Sequence, residues 1–577
     1  MLIARRLYVY FIAAVSLGMT VVGLENLLGL AFARIGGALG GSVIQQSSES
    51  VRQQLSVFAA LVIVALPVWL LHWWLAERAL HRPGPEGEHE RASEIRALYL
   101  TLVLAVPLQG LVFGAVDVLS WLFNRVFGGT TTMGSAGDHW MSLAMILVSG
   151  AVIAYHGRIR LRDTRIGPLE GAAAWLPRLY LYVAAVVGAI LLLFGLADLI
   201  RLLNDTLFGA REITFGQRWW AEPLSSAVAR TLVGLVIWGL YWGFSLRTLR
   251  RSDWLGASER RSSLRWFYVY VVVFISVLLT LRGVSSGLDA LLRWILNVPR
   301  STGQISWPRA ILEPLFVAVP FAGFWVYHRL AVLGAAPEDE SAPLAESLRR
   351  LYTYLVAFVG LAFTGVGAAY VLGILIDLLL GGTRTVSVSS VFWRDDVARF
   401  GSFALVGAAA WLWQWYGVER RVTEHEEIER GATTRRIYVY LTLAASLVAI
   451  LVSLAIVVYR VFSAILGVST GASLASAISV ALGVVIVAAA LLAYHFTVLR
   501  NDLAQREEVA PGALTVSLTL VAPAGGDIDA AVSDLRAHLP EGYALELDGS
   551  ERRRASLSAP THGPNGDDAE AAIVRVP

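Results

Sequence analysis

Three carboxylates stand at nearly the same distance behind a recurring tyrosine. Glu25, Asp117 and Asp198 follow Tyr8, Tyr99 and Tyr180 by 17, 18 and 18 residues, each within a long apolar run. Asp289 and Asp377 follow Tyr268 and Tyr352 by 21 and 25. A carboxylate deep in a bilayer faces a partner or water, and is the kind of group that passes protons or ions. On a helix, 17–18 residues correspond to ~25–27 Å, near the far edge of a hydrocarbon core of ~30 Å. There the cost falls, and an acid at that depth also serves by reaching the interface or capping the next helix. Arg282 is the most demanding charge, 14 residues beyond Tyr268 in an otherwise apolar run. It requires a carboxylate, and the sequence offers Asp289, seven residues on, or Glu313 on the following helix. A structural ion pair and a polar pathway both fit these seven residues.

Histidine supplies the second chemistry. Apolar runs close in turn on Trp73, His156, Trp242, His328, Trp415 and His495, an alternation that suggests an ancestral unit of two repeats. Histidines on membrane helices can ligate haem, which makes His156, His328 and His495 weak candidates. Each follows a tyrosine near an arginine-rich helix end, so the plainer reading is an interfacial aromatic belt.

Other chemistries are excluded or unsupported. The chain has no cysteine, which removes disulfides, thiolate nucleophiles and Cys-held metals or haem. All 47 basic residues are Arg, so no lysine is present for Schiff-base chemistry. A net charge of +3 gives no case for nucleic acid. HExxH and Walker motifs are absent, and we expect neither an enzyme nor a resident cofactor.

The elements that must position these residues follow from a repeat. "RRLYVY" (Arg5 to Tyr10) returns as "RALYLT", "PRLYLY", "RWFYVY", "RRLYTY" and "RRIYVY". The first tyrosines are spaced by 91, 81, 88, 84 and 86 residues, room for two membrane helices per repeat. With 56% hydrophobic residues, a mean hydropathy of +0.61 and 16% charged residues, the composition is that of a membrane protein. The expectation is an all-α integral membrane protein of about twelve transmembrane helices in six tandem two-helix repeats. Their bounds are 1–85, 86–165, 166–255, 256–336, 337–424 and 425–502.

Arginine sets the expected orientation. The N-terminus, the linkers between repeats and the exit after the last span hold 27, against 15 in the hairpin halves within repeats. By the positive-inside rule both ends are cytoplasmic and the protein sits in the cell membrane. Arg5-Arg6, the following apolar run and "AFA" (Ala31 to Ala33) imitate a signal peptide, but the recurrence marks this segment as the first repeat, retained. In the motif, arginine snorkels to headgroups and tyrosine rings sit at the interface. The expected anchors are Arg6, Tyr8, Tyr10, Arg178, Tyr180, Tyr182, Arg350, Tyr352, Arg436 and Tyr438.

These motifs, with the hairpin spacing, resemble a family of uncharacterised, mostly bacterial polytopic proteins built from copies of domain of unknown function 5671. The resemblance covers about residues 1–500 and implies a multi-pass membrane protein, with no catalytic residues to carry over. "RALYLT" departs from the pattern, since Thr101 replaces the second tyrosine.

Beyond a charged linker at 501–512, residues 503–577 read as a small cytoplasmic α/β module. "ALTVSLTLVA" and "YALELDG" are expected strands around the helix "DIDAAVSDLRAHL", and Arg552 to Arg554 is a basic triplet suited to anionic lipid. The leading functional expectation is a membrane scaffold or assembly protein, with the bilayer and other membrane proteins as partners. A transporter or channel with a polar path between repeats is the alternative, and a haem- or pigment-binding protein the third.

Overall fold

The computed structural model describes residues 2–38, 48–129, 136–166, 171–208, 218–299, 306–333, 343–380, 392–424, 430, 432–468, 473–507, 520–522, 528–538 and 572–574. Six helical hairpins follow one another: α1 (Leu2–Ala38) with α2 (Ser48–Leu80), α4 (Glu94–Val126) with α5 (Ala136–Ile166), and α6 (Gly171–Leu207) with α7 (Ala221–Leu249). Next come α9 (Ser263–Ile295) with α10 (Trp307–Tyr327), α11 (Pro343–Leu379) with α12 (Phe392–Glu424), and α13 (Thr433–Ile465) with α14 (Leu474–Glu507). Two short linker helices, α3 (Pro85–Arg91) and α8 (Trp254–Arg260), precede α4 and α9. A π-helical turn, His328–Leu333, extends α10.

Eleven of these helices are long and apolar enough to cross a membrane. The expected twelfth, α12, is equally helical but falls short in apolarity. Its central stretch is diluted by Trp411, Trp413, Gln414, Trp415, Tyr416 and Gly417. A helix of 33 residues spans ~50 Å, beyond the ~30 Å hydrocarbon thickness, so helix ends reach into polar surroundings.

The first helices line up in chain order, α1, α4, α6, α9, α11 and α13, each touching the next. Each second helix after α2 lies against its own partner and against the preceding first helix: α5 on α1, α7 on α4, α10 on α6, α12 on α9. α14 continues the pattern, with its Gly483 against Ala369 and its Val480 against Gly373 of α11. Glycine permits the closest approaches. A Cβ on Gly188 of α6 would overlap the backbone of Trp238 in α7, and one on Gly360 of α11 would sit 2.8 Å from the Trp411 nitrogen of α12. Such small-residue contacts replace the hydrophobic driving force that lipid does not supply.

The hairpins lie within one unit, Met1–Leu499, and Arg500–Pro577 forms a second. The second does not support the expected α/β module. Beyond the end of α14 its described elements are α15 (Ile528–Ala537) and two three-residue strands, β1 (Leu520–Ala522) and β2 (Ala572–Val574). They pair antiparallel, with Val521 opposite Ile573. Residues 513–519, 543–549 and Arg552 to Arg554 lie outside the described residues.

Candidate functional site

The closing histidines are buried inside the protein, not set in an outward-facing aromatic belt: His156, His328 and His495 are 1%, 0% and 0% exposed. Each is roofed by the tryptophan that closes the preceding repeat. In the first pair of repeats, Trp69 and Trp73 lie one turn apart on the same face of α2. Trp69 Nε1 donates to Tyr99 OH at 3.2 Å and Trp73 Nε1 to Tyr155 OH at 2.7 Å. His156 Nδ1 donates to the Val152 carbonyl at 3.0 Å, which leaves Nε2 as an acceptor facing Tyr99 OH at 3.4 Å. Trp73 stacks on Tyr99 with ring centroids 5.2 Å apart.

The cage is built three times. Trp238 and Trp242 donate to Tyr268 and Tyr327 at 3.2 and 3.0 Å, and Trp411 and Trp415 to Tyr438 and Tyr494 at 3.1 and 2.6 Å. His328 and His495 donate from Nδ1 to the carbonyls of Phe324 and Leu491 at 3.0 and 2.9 Å. Tyr438 OH faces His495 Nε2 at 3.3 Å, whereas His328 Nε2 has no hydrogen-bond partner. The inner tryptophans, Trp69, Trp238 and Trp411, were not among the sequence candidates. Their signal was available as a W-x3-W spacing that recurs at 69/73, 238/242 and 411/415.

A second set of contacts closes the linker end. Arg96, at the start of α4, lies over the Trp73 ring and donates to Asp163 at 3.0 Å, Glu77 at 2.7 Å and Tyr10 OH at 3.2 Å. Its counterpart Arg435 lies over Trp415 and binds Glu419 at 3.2 Å. Glu90 of α3 accepts from Arg6 at 2.7 Å and Tyr10 at 3.0 Å. Glu259 of α8 repeats this, accepting from Arg178 at 3.3 Å, Ser245 at 2.9 Å and Tyr182. The motif therefore holds a linker-helix glutamate, a job for which Arg and Tyr four residues apart share one helix face. Asp253 caps α8 through the Gly256 N–H, and its hydrogen bonds with Arg251 hold its carboxyl below the usual range.

The anchor expectation is corrected accordingly. Tyr8 is exposed, but Tyr10, Tyr182, Tyr352 and Tyr438 are buried in protein contacts, and Tyr180 is half-buried and bonded to Tyr241. Arg6 and Arg178 grip glutamates, while Arg350 is half-buried and Arg436 exposed.

The acids of the apolar runs are mostly partnered. Ser149 donates to Glu25 at 3.0 Å, and Asp117 meets His139 at 2.8 Å. Asp198 pairs with Arg201 at 2.5 Å and Arg230 at 3.0 Å. Glu313 lies 3.4 Å from Arg201 and 3.7 Å from Arg309, which also binds Asp205. Asp289 binds Arg293 at 2.9 Å, and Arg293 reaches across to Asp395. Neither expected partner meets Arg282, whose side chain is exposed with no hydrogen bond or ion pair. Asp377 is buried, with Oδ1 unpartnered. Among the described residues no three His, Asp or Glu side chains group as a metal site.

A family model described as a domain of unknown function, DUF5671, matches residues 6–109, 178–323 and 350–490. The matches open on Arg6, Arg178 and Arg350, 172 residues apart in both intervals, so each begins one four-helix unit and one cage. No curated protein and no solved structure matches the chain.

Proposed function

The chain belongs to the family defined by domain of unknown function 5671, and from that premise we propose that it is a multi-pass scaffold or assembly protein of the cell membrane. The observation that carries this reading is that most charges of the apolar runs are closed internally, with Arg282 and Asp377 as the exceptions. Asp198, Asp289 and Glu313 lie in ion pairs, and Asp117 with His139 and Glu25 with Ser149 in hydrogen bonds, while long apolar helix faces remain exposed for lipid or other membrane proteins. Arginine asymmetry supports cytoplasmic N- and C-termini. No catalytic step is assigned to any residue.

One observation favours transport instead. Arg230, Asp198, Arg201, Glu313, Arg309 and Asp205 form a connected ionic run across α7, α6 and α10. Haem or pigment binding draws only on the unclaimed Nε2 of His328. Three measurements on protein purified in mild detergent from its native membrane separate the readings. Stoichiometric co-purifying membrane proteins, a colourless spectrum and no flux in liposomes fit the scaffold. Flux lost on Asp198→Asn overturns it in favour of transport, and a Soret or pigment band dependent on His328 overturns it in favour of the third reading.

A further inference from the structure

The arginine that heads each second repeat is neutralised in the first and third units but not in the second. Arg96 has Asp163 and Glu77, and Arg435 has Glu419. At the equivalent place Arg265 is 7% exposed, lies over the Trp266 ring, and has no hydrogen bond. The residue matching Glu77, 169 positions on, is Leu246. Its charged neighbour is Glu259, already engaged by Tyr182, Ser245 and Arg178. A guanidinium stays charged under all ordinary conditions, and a buried one without a dedicated counter-charge is costly.

Beside this cluster opens a cavity of about 570 Å³ between α6, α8 and the start of α9. Arg178 and Arg261 line it together with the hydroxyls of Ser258, Ser262 and Ser263, and among the described residues no acid does. Arg178 reaches Ser258 Oγ at 2.6 Å, whereas the Arg261 side chain is exposed and makes no hydrogen bond. Ser262 stands at the N-cap of α9 without capping it, so the first N–H groups of a 33-residue helix keep their donors. Trp175 and Trp254 complete the wall. Arg160, bonded to the Ala173 carbonyl at 3.4 Å with Nε unpartnered, adds to the charge. Against Arg160, Arg178, Arg261 and Arg265 stand Glu259, Asp163, whose charge acts on Arg160, and Glu94, beside Gly171 at the rim. Among the described residues the local balance is positive, and the charged and hydroxyl groups of the lining can all donate hydrogen bonds.

The chain contains its own controls. Where the second unit has Arg261 and Ser263, the first has Ala92 and Glu94, and the third has Gly431 and Thr433. The arginine and serine at these two positions belong to the second unit alone. We propose that this cavity binds a phosphate group, held by Arg261 and Arg178, the serine hydroxyls and the α9 N-terminus. An anionic phospholipid headgroup and a free phosphate share that chemistry.

The test uses the full-length protein, delipidated in detergent, as wild type, Arg261→Gln, Ser263→Glu and, as a remote control, Arg282→Gln. Native mass spectrometry counts phosphatidylglycerol retained against phosphatidylcholine. A thermal-shift titration compares inorganic phosphate with chloride at equal ionic strength. A lipid ligand predicts preferential retention of phosphatidylglycerol, a free ligand a phosphate-specific shift. In either case Arg261→Gln weakens the response roughly tenfold, and Ser263→Glu, which installs the first unit's acid, abolishes it. Because Arg261 is exposed, its variant keeps the wild-type melting temperature without ligand. Equal responses in wild type, Arg261→Gln and Ser263→Glu overturn the proposal, as does an equal loss in Arg282→Gln.

Discussion

Trp73 and His156 belong to different repeats, yet their rings meet edge to face with centroids 5.5 Å apart. The same pairing returns as Trp242 with His328 at 5.5 Å and Trp415 with His495 at 5.9 Å. Each tryptophan also donates to the tyrosine before that histidine, so two hairpins are joined by one side chain.

Replacing Trp73, Trp242 or Trp415 by alanine should therefore destabilise the protein by about 3–5 kcal/mol each. Phenylalanine, which keeps most of the stack but leaves the tyrosine hydroxyl unpaired, should cost about 1–3 kcal/mol. Denaturation in detergent checks the values. Costs that differ widely among the three sites would mean that the cages are not equivalent.

The period, the hairpins and the Trp/His alternation were legible in the sequence, but not which way the side chains faced. Tyr8 and Tyr10 show why. Two residues on a helix are ~200° apart, so one tyrosine is 59% exposed and the other 2%. A motif read as a pair of outward anchors thus has one ring outside and one on Glu90. Arg282 missed Asp289 for a related reason. The carboxylate is two turns away and Arg293, one turn off, takes it first. Pairings such as Arg96 with Asp163, 67 residues apart, depend on how hairpins dock, which local spacing does not encode.

Glu259 joins the linker helix α8 to α6 and α7, and its loss removes the shared acceptor of Arg178, Tyr182 and Ser245. Glu259→Ala should cost about 3–5 kcal/mol, the scale for breaking a buried pair from one side. The damage should begin locally, as faster proteolysis of residues 250–262. Glu90→Ala should act likewise on 81–93. Protease resistance equal to wild type would show that the clamps do not hold the linker helices.

Gly188 on α6 and Gly239 on α7 belong to the same hairpin and give opposite forecasts. A methyl at Gly188 collides with the Trp238 backbone, while at Gly239 nothing lies within 4 Å. Gly188→Ala should destabilise by about 1–3 kcal/mol through overpacking. Gly239→Ala should be neutral or stabilising by up to about 1 kcal/mol, since alanine favours the helix. Melting temperatures of the two variants decide it, and a loss at Gly239 equal to that at Gly188 would remove the close helix approach as the cause.

Arg282 sits exposed on α9 without a bond, so nothing in the fold is lost with its charge. In a helix that crosses a bilayer, a central arginine opposes insertion by about 2.5–3.5 kcal/mol. Arg282→Leu should therefore raise the fraction inserted, or leave it unchanged where the side chain snorkels, and should not lower the melting temperature. Had Arg282 met Asp289 or Glu313, the same change would strand a carboxylate and destabilise. Insertion assays and thermal melts thus separate the two arrangements. A variant that folds and inserts normally but loses an ion flux present in wild type would assign Arg282 to a polar path and count against the scaffold reading.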